Sequence, residues 1–89
     1  MHTVELLEEA VSLAERLGYQ VRQEWLGGGG GGACEIKGRR LIFLDLALGP
    51  ADQLEHVLEA LRREPLRQEA LALPMPYQLR DLLQMRKTA

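Results

Sequence analysis

The chain has one cysteine, two histidines and few aromatic residues. A single cysteine excludes an intrachain disulfide and any cysteine-rich zinc site. Tyr19, Trp25, Phe43 and Tyr77 are the only aromatics, so a core has to be assembled from Leu, Val, Ile and Ala. No apolar run approaches the ~18 residues of a membrane span. Neither sign of charge dominates, because the formal charge is −2 with acids and bases interspersed. A general nucleic-acid binder carries a basic face, so the balance argues against nucleic acid and leaves room only for a local basic patch. The start, MHTVELLEEAV, is acidic and amphipathic, and no secretory leader is expected there. With a lone cysteine, a reducing cytoplasm is the expected location.

What is present fits one small domain. The chain has 89 residues, 46% apolar and 27% charged, an ordinary globular composition. From Val4 to Leu17, the apolar residues Val4, Leu6, Leu7, Ala10, Val11, Leu13, Ala14 and Leu17 cover one half of a helix, with Glu5, Glu8, Glu9, Ser12, Glu15 and Arg16 on the other. Thr3 is placed to cap this helix and Gly18 to end it. Residues 19–26 (YQVRQEWL) alternate as a half-buried strand. Residues 33–37 (ACEIK) alternate again, with Cys34 and Ile36 on one side, predicted to face the core. Gly38 supplies a hairpin turn. The run RLIFLDL (40–46) is apolar on both faces, the mark of a central strand covered on both sides. Pro50 opens a second amphipathic helix with Ala51, Leu54, Val57, Leu58 and Leu61 in its stripe. Short helices are expected at 66–72 and 77–86, joined by the stiff LPMP connector.

The candidate sites are few. Six glycines, 27–32, join the first two strands. A phosphate-binding loop needs a Lys-Ser or Lys-Thr and a following helix, and neither is present. The expected role is a slack connection; an ordered ligand loop of Gly28, Gly29, Gly30 and Gly31 with Cys34 and Asp45 is the alternative. A nucleophilic Cys34 would need His56 as its base, and the helical angle of His56 predicts a solvent-facing side chain. One His with Asp52, Glu55 or Glu59 makes a poor metal site, and no cofactor is expected. Asp45 interrupts an apolar strand, so it must be paired or hydrogen-bonded: it caps the turn before Pro50, pairs with Arg22 or Arg40, or serves as a site acid. Lys37, Arg39 and Arg40 form one basic knuckle, and Arg62, Arg63 and Arg67 another. Leu79, Leu82, Leu83 and Met85 form an apolar helix face that packs on its own body or on a second copy.

The stretch GACEIKGRRLIFLD followed by GPADQLEHVLEALRRE resembles the core of small zincin-type metallopeptidase domains, in which a strand leads into a helix carrying H-E-x-x-H. Here LEHVLEAL stands at that place. His56 matches one histidine, Val57 replaces the glutamate, and Ala60 replaces the second histidine. The resemblance implies a scaffold without metal or activity. The chain also looks like small bacterial proteins of unassigned function, from which no site residue carries over.

The expected architecture is therefore α+β. A three-stranded, mainly antiparallel sheet carries two packed helices within residues 1–64, and residues 65–89 form a helical C-terminal extension. The expected function is a non-catalytic protein-binding or assembly module, homo-oligomeric or bound to a protein partner. The alternative is a small-molecule enzyme with its site near the glycine loop, Cys34 and Asp45. A third reading is an accessory that binds RNA or protein through the arginine clusters.

Overall fold

The computed structural model describes residues 1–85. Helix α1 (Thr3–Arg16) leads into strands β1 (Tyr19–Glu24), β2 (Gly32–Ile36) and β3 (Arg39–Asp45). Helices α2 (Pro50–Leu61), α3 (Leu66–Leu71) and α4 (Tyr77–Gln84) follow. The fold is α+β, as its periodicities require. Arg86, the expected end of the last helix, lies outside the described residues.

Helix α1 forms because its apolar residues recur at three- and four-residue spacing, which buries Leu7, Ala10, Leu13 and Ala14. Its cap is one residue earlier than the sequence suggests. The His2 backbone N–H donates to Glu5 Oε1 at 3.2 Å. Gly18 ends the helix with φ +91°, a left-handed conformation that glycine adopts without steric penalty. In α2, Pro50 sits in the first turn, and Leu54, Val57, Leu58 and Leu61 are buried.

The sheet is mixed, with order β1-β3-β2. β2 and β3 form the expected antiparallel hairpin, with Cys34 opposite Leu41 and Ala33 opposite Ile42. Lys37 and Gly38 both have positive φ at its turn, the geometry that matches strand twist in two-residue hairpins. β1 pairs with β3 in parallel, Tyr19 beside Arg40 through Glu24 beside Asp45. β3 is thus central, and β1 and β2 are the edges.

Core and coverage follow from β3. Ile42 and Leu44 are fully buried with Leu13, Leu58 and Leu61. Leu41 and Phe43, of opposite parity, remain partly exposed. The helices therefore cover one face of the sheet, where the apolar character of β3 predicts two.

The C-terminal segment joins the same core. Ala70, Leu79 and Leu83 are fully buried in it, and Leu82 packs against it. Of the four residues predicted as an interface, only Met85 is well exposed, at 59%. Of the two expected arrangements, own-body packing is the one observed. Arginines fasten it: Arg62 donates through Nε and a terminal nitrogen to the Leu82 carbonyl at 3.1 and 2.7 Å. Arg80 donates to the carbonyls of Leu71 and Leu73 at 2.8 and 3.1 Å, and Arg16 to that of Pro74 at 2.8 Å. Carbonyls at helix ends lack intrahelical donors, and a charged guanidinium is a strong donor to them.

Candidate functional site

The glycine segment is placed by topology. β1 and β3 run the same way, and β3 lies between β1 and β2. The connection from β1 to β2 must therefore cross the C-terminal end of β3. It passes so close to the strand that a β-carbon at Gly31 would collide with the carbonyl oxygen of Phe43. At Gly30 (φ +84°) a β-carbon would lie 3.5 Å from His56 Cε1.

Asp45, the last residue of β3, fastens this crossing. It is fully buried. Its Oδ1 accepts the N–H groups of Leu26 at 3.0 Å and Ala47 at 2.9 Å. Its Oδ2 accepts those of Gly28 at 2.8 Å and Gly30 at 3.2 Å. Burial pushes the carboxyl pKa up, but the N–H groups of Ala47, Leu26, Gly30 and Gly28 outweigh it and hold the pKa below the ordinary 3.8. The connection predicted to be slack is thus tied down at three points by one carboxylate. Of the roles predicted for Asp45, turn capping is present through Ala47. Neither arginine pairs with it: Arg22 bonds Glu24 at 2.8 Å, and Arg40 donates to the Leu17 carbonyl at 2.9 Å.

This arrangement limits the chemistry available. The C-terminal end of adjacent parallel strands is where α/β folds place ligands, and glycine-loop N–H groups are a common anion cradle. Here the N–H groups of Gly28 and Gly30 already hold an internal anion, and both Asp45 oxygens are occupied twice. A carboxylate so fixed is a poor general acid or base.

Two further sequence expectations are corrected. Cys34 is exposed, and Ile36 is 51% exposed. Register places them beside Leu41 and Arg39 on the uncovered face. Alternation identified the right pair of residues but the wrong face, because β3 is apolar on both sides and alternation alone cannot choose between them. His56 does not face solvent. It is half-buried under Gly30, with Nδ1 buried and lacking a hydrogen-bond partner among the described residues. Since α2 packs against Ile42 and Leu44, His56 and Cys34 lie on opposite sides of the sheet, and no Cys–His pair forms. Among the described residues, no three His, Cys, Asp or Glu side chains come together as a group that could hold a metal ion. The Tyr19 phenol is pushed above its ordinary pKa by burial, against the lowering influence of Arg40 and Arg63, and stays protonated at neutral pH.

The uncovered face is the surface that the sequence reasoning did not assemble. Gln20, Leu41 and Cys34 make one row across it, and Arg22, Phe43 and Gly32 the next. Arg39 and Ile36 follow toward the hairpin turn. The Arg22 guanidinium lies over the Phe43 ring, 6.0 Å from its centre, a cation–π arrangement. A shallow groove of about 540 Å³ is lined by Gln20, Arg22, Ile36, Lys37, Arg39 and Leu41. Arg39 and Lys37 make no ion pair among the described residues. The other basic cluster is largely occupied, since Arg62 and Arg67 donate to carbonyls of Leu82, Leu83 and Gln84. The available signal was an imbalance: one strand apolar on both faces, and two amphipathic helices that both fit on one.

No helix among the described residues is long and apolar enough to cross a membrane. Comparisons with protein-family models, curated proteins and solved structures found no match to this chain.

Proposed function

We propose that this chain is a non-catalytic protein-binding module whose partner covers the outer face of the sheet. One observation carries the reading: β3 is apolar on both sides, yet helices bury only Ile42 and Leu44, leaving Leu41, Phe43 and Ile36 beside an open groove. Contiguous exposed apolar surface rimmed by polar groups marks interaction sites. The enzyme alternative has less support. Its glycine N–H groups and Asp45 oxygens are occupied by each other, and Cys34 lies across the sheet from His56.

The test is a selection. A displayed library of random peptides is panned against the protein, and recovered clones are re-measured against Ile36→Asp and Leu41→Asn. Ile36 is half-exposed on an edge strand, so its replacement leaves the core intact. The reading expects clones whose affinity falls about tenfold or more on either change, equivalent to about 1.4 kcal/mol. Clones indifferent to both, but sensitive to changes in the glycine crossing, would return the site to the loop.

A further inference from the structure

The outer face also indicates what its partner is made of. Resting on the module reading above, we infer that it takes an acidic amphipathic helix of another protein, apolar on one side and flanked by carboxylates.

Size selects a helix. Strands lie about 4.8 Å apart, so three strands span about 10 Å between their outer axes. That matches the 10–12 Å diameter of one helix with its side chains. The seven residues of β3 (Arg39–Asp45) extend about 23 Å at strand rise. A helix of about 15 residues covers that length at 1.5 Å per residue. The inner face shows that this sheet is covered by helices, there by two of them, α1 against β1 and α2 against β2 and β3.

Charge selects the flanks. Arg22, Lys37 and Arg39 line the groove on Ile36 and Leu41, and it has no acidic lining residue. Of the acids nearby, Glu24 is already bonded to Arg22 at 2.8 Å, and Glu35, which lines the adjoining groove with Arg39, makes no ion pair with it. Arg39 and Lys37 are therefore available to carboxylates on an incoming helix.

The same charges disfavour the other occupants. Two copies placed face to face would bring their Arg39 and Lys37 side chains together, and like charges in opposition are destabilising. The chain's own acidic helix α1 is not available to a second copy, because its apolar residues Leu7, Ala10, Leu13 and Ala14 are buried in its own body. Single-stranded nucleic acid needs aromatic platforms along a basic groove. The face offers only Phe43, already covered by Arg22.

Two synthetic peptides of about 15 residues, with identical apolar helical spacing, provide the test: one carries Glu and the other Lys at the flanking positions. Binding is read by fluorescence anisotropy at about 50 mM and about 500 mM salt, beside a single-stranded thymidine oligonucleotide of similar length. The acidic peptide is expected to bind about tenfold tighter than its basic twin at low salt, with the margin shrinking at high salt. The double change Lys37→Glu, Arg39→Glu is expected to reverse the preference, and circular dichroism reports whether that variant is folded. Arg22→Gln serves as a second, milder variant. Equal or tighter binding of the basic peptide or the oligonucleotide overturns the inference. So does self-association of the free protein, by light scattering, that is lost on Ile36→Asp. If neither peptide binds while library clones sensitive to Ile36→Asp exist, the partner chemistry is wrong and the module reading stands. If no such clones exist, both fall.

Discussion

Ile42 and Leu44 face the helices and lose all contact with solvent, while Leu41 and Phe43, their neighbours along the same strand, stay partly exposed. The residues on the two sides are alike in kind. What differs is the supply of partners. Helices α1 and α2 give the inner face Leu13, Leu58 and Leu61, and α4 adds Leu79 and Leu83 behind them. The outer face receives only its own rim of Arg22, Arg39 and Lys37. An apolar strand therefore specifies that it will be covered, and the rest of the chain decides on how many sides.

The strongest way to break this contrast is at the end of β3, where Asp45 joins strand, turn and glycine crossing. Asp45→Ala leaves the N–H groups of Leu26, Gly28, Gly30 and Ala47 without their acceptor. Four part-buried hydrogen bonds to one ionised carboxylate are lost together, and bonds to a charged acceptor are the strong ones. The expected result is the largest loss of any substitution considered, read as a broadened or absent thermal transition, with amide exchange at Gly28 and Gly30 rising to the rate of an open chain. Wild-type thermal stability in this variant would mean that the crossing is held by something other than the carboxylate.

Second in size is the inner face. Leu44→Ala removes a fully buried side chain and leaves a cavity between sheet and helices. Such changes cost about 2–5 kcal/mol. Chemical denaturation would show it as a lower midpoint at an unchanged slope.

Acid should produce a graded version of the Asp45 defect. The folded pKa of Asp45 lies below the ordinary 3.8 because the four N–H groups hold the ionised form. Its contribution is therefore complete above the unfolded value and is lost as pH falls through the folded one. Denaturation midpoints attributable to this group should stay level from pH 7 to about pH 5 and decline below about pH 4. Asp45→Asn should flatten that part of the profile. A wild-type decline that begins near neutrality would place the acid-sensitive group elsewhere.

Much of the fold was legible in the sequence, for identifiable reasons. The helical stripes of α1 and α2 are long and strongly two-sided. Pro50 and Gly38 announce a helix start and a hairpin turn in positions where few alternatives are stable. The site was less legible. Glycine runs usually connect loosely, and nothing local to residues 27–32 reveals that a carboxylate some 15 residues later closes around them. That fact depends on strand order, because the crossing exists only when β3 lies between β1 and β2. The face of Cys34 and Ile36 was unreadable for a related reason: alternation gives parity, and a strand apolar on both sides accepts either parity. In the sequence the arginines stand out only as basic clusters. Their role as donors to helix-end carbonyls appears only once helices α3 and α4 are brought against the body.

The smallest effect on stability should come from the outer face, and it is the most informative one. In Leu41→Ala the lost methyl groups are already partly in water, so only a fraction of the transfer free energy is forfeited and no closed cavity forms. The loss should stay below about 1 kcal/mol, against about 2–5 kcal/mol at Leu44. Partner binding should then remove the asymmetry. A helix seated on the face at a hundred times its dissociation constant adds about 2.7 kcal/mol to the wild type. A variant that binds ten times more weakly gains about 1.4 kcal/mol under the same conditions. Thermal midpoints of wild type and Leu41→Ala should thus lie close together in the free state and separate as the acidic peptide is added. Equal rises in both would mean that the peptide sits elsewhere, and that Leu41 is exposed without being used.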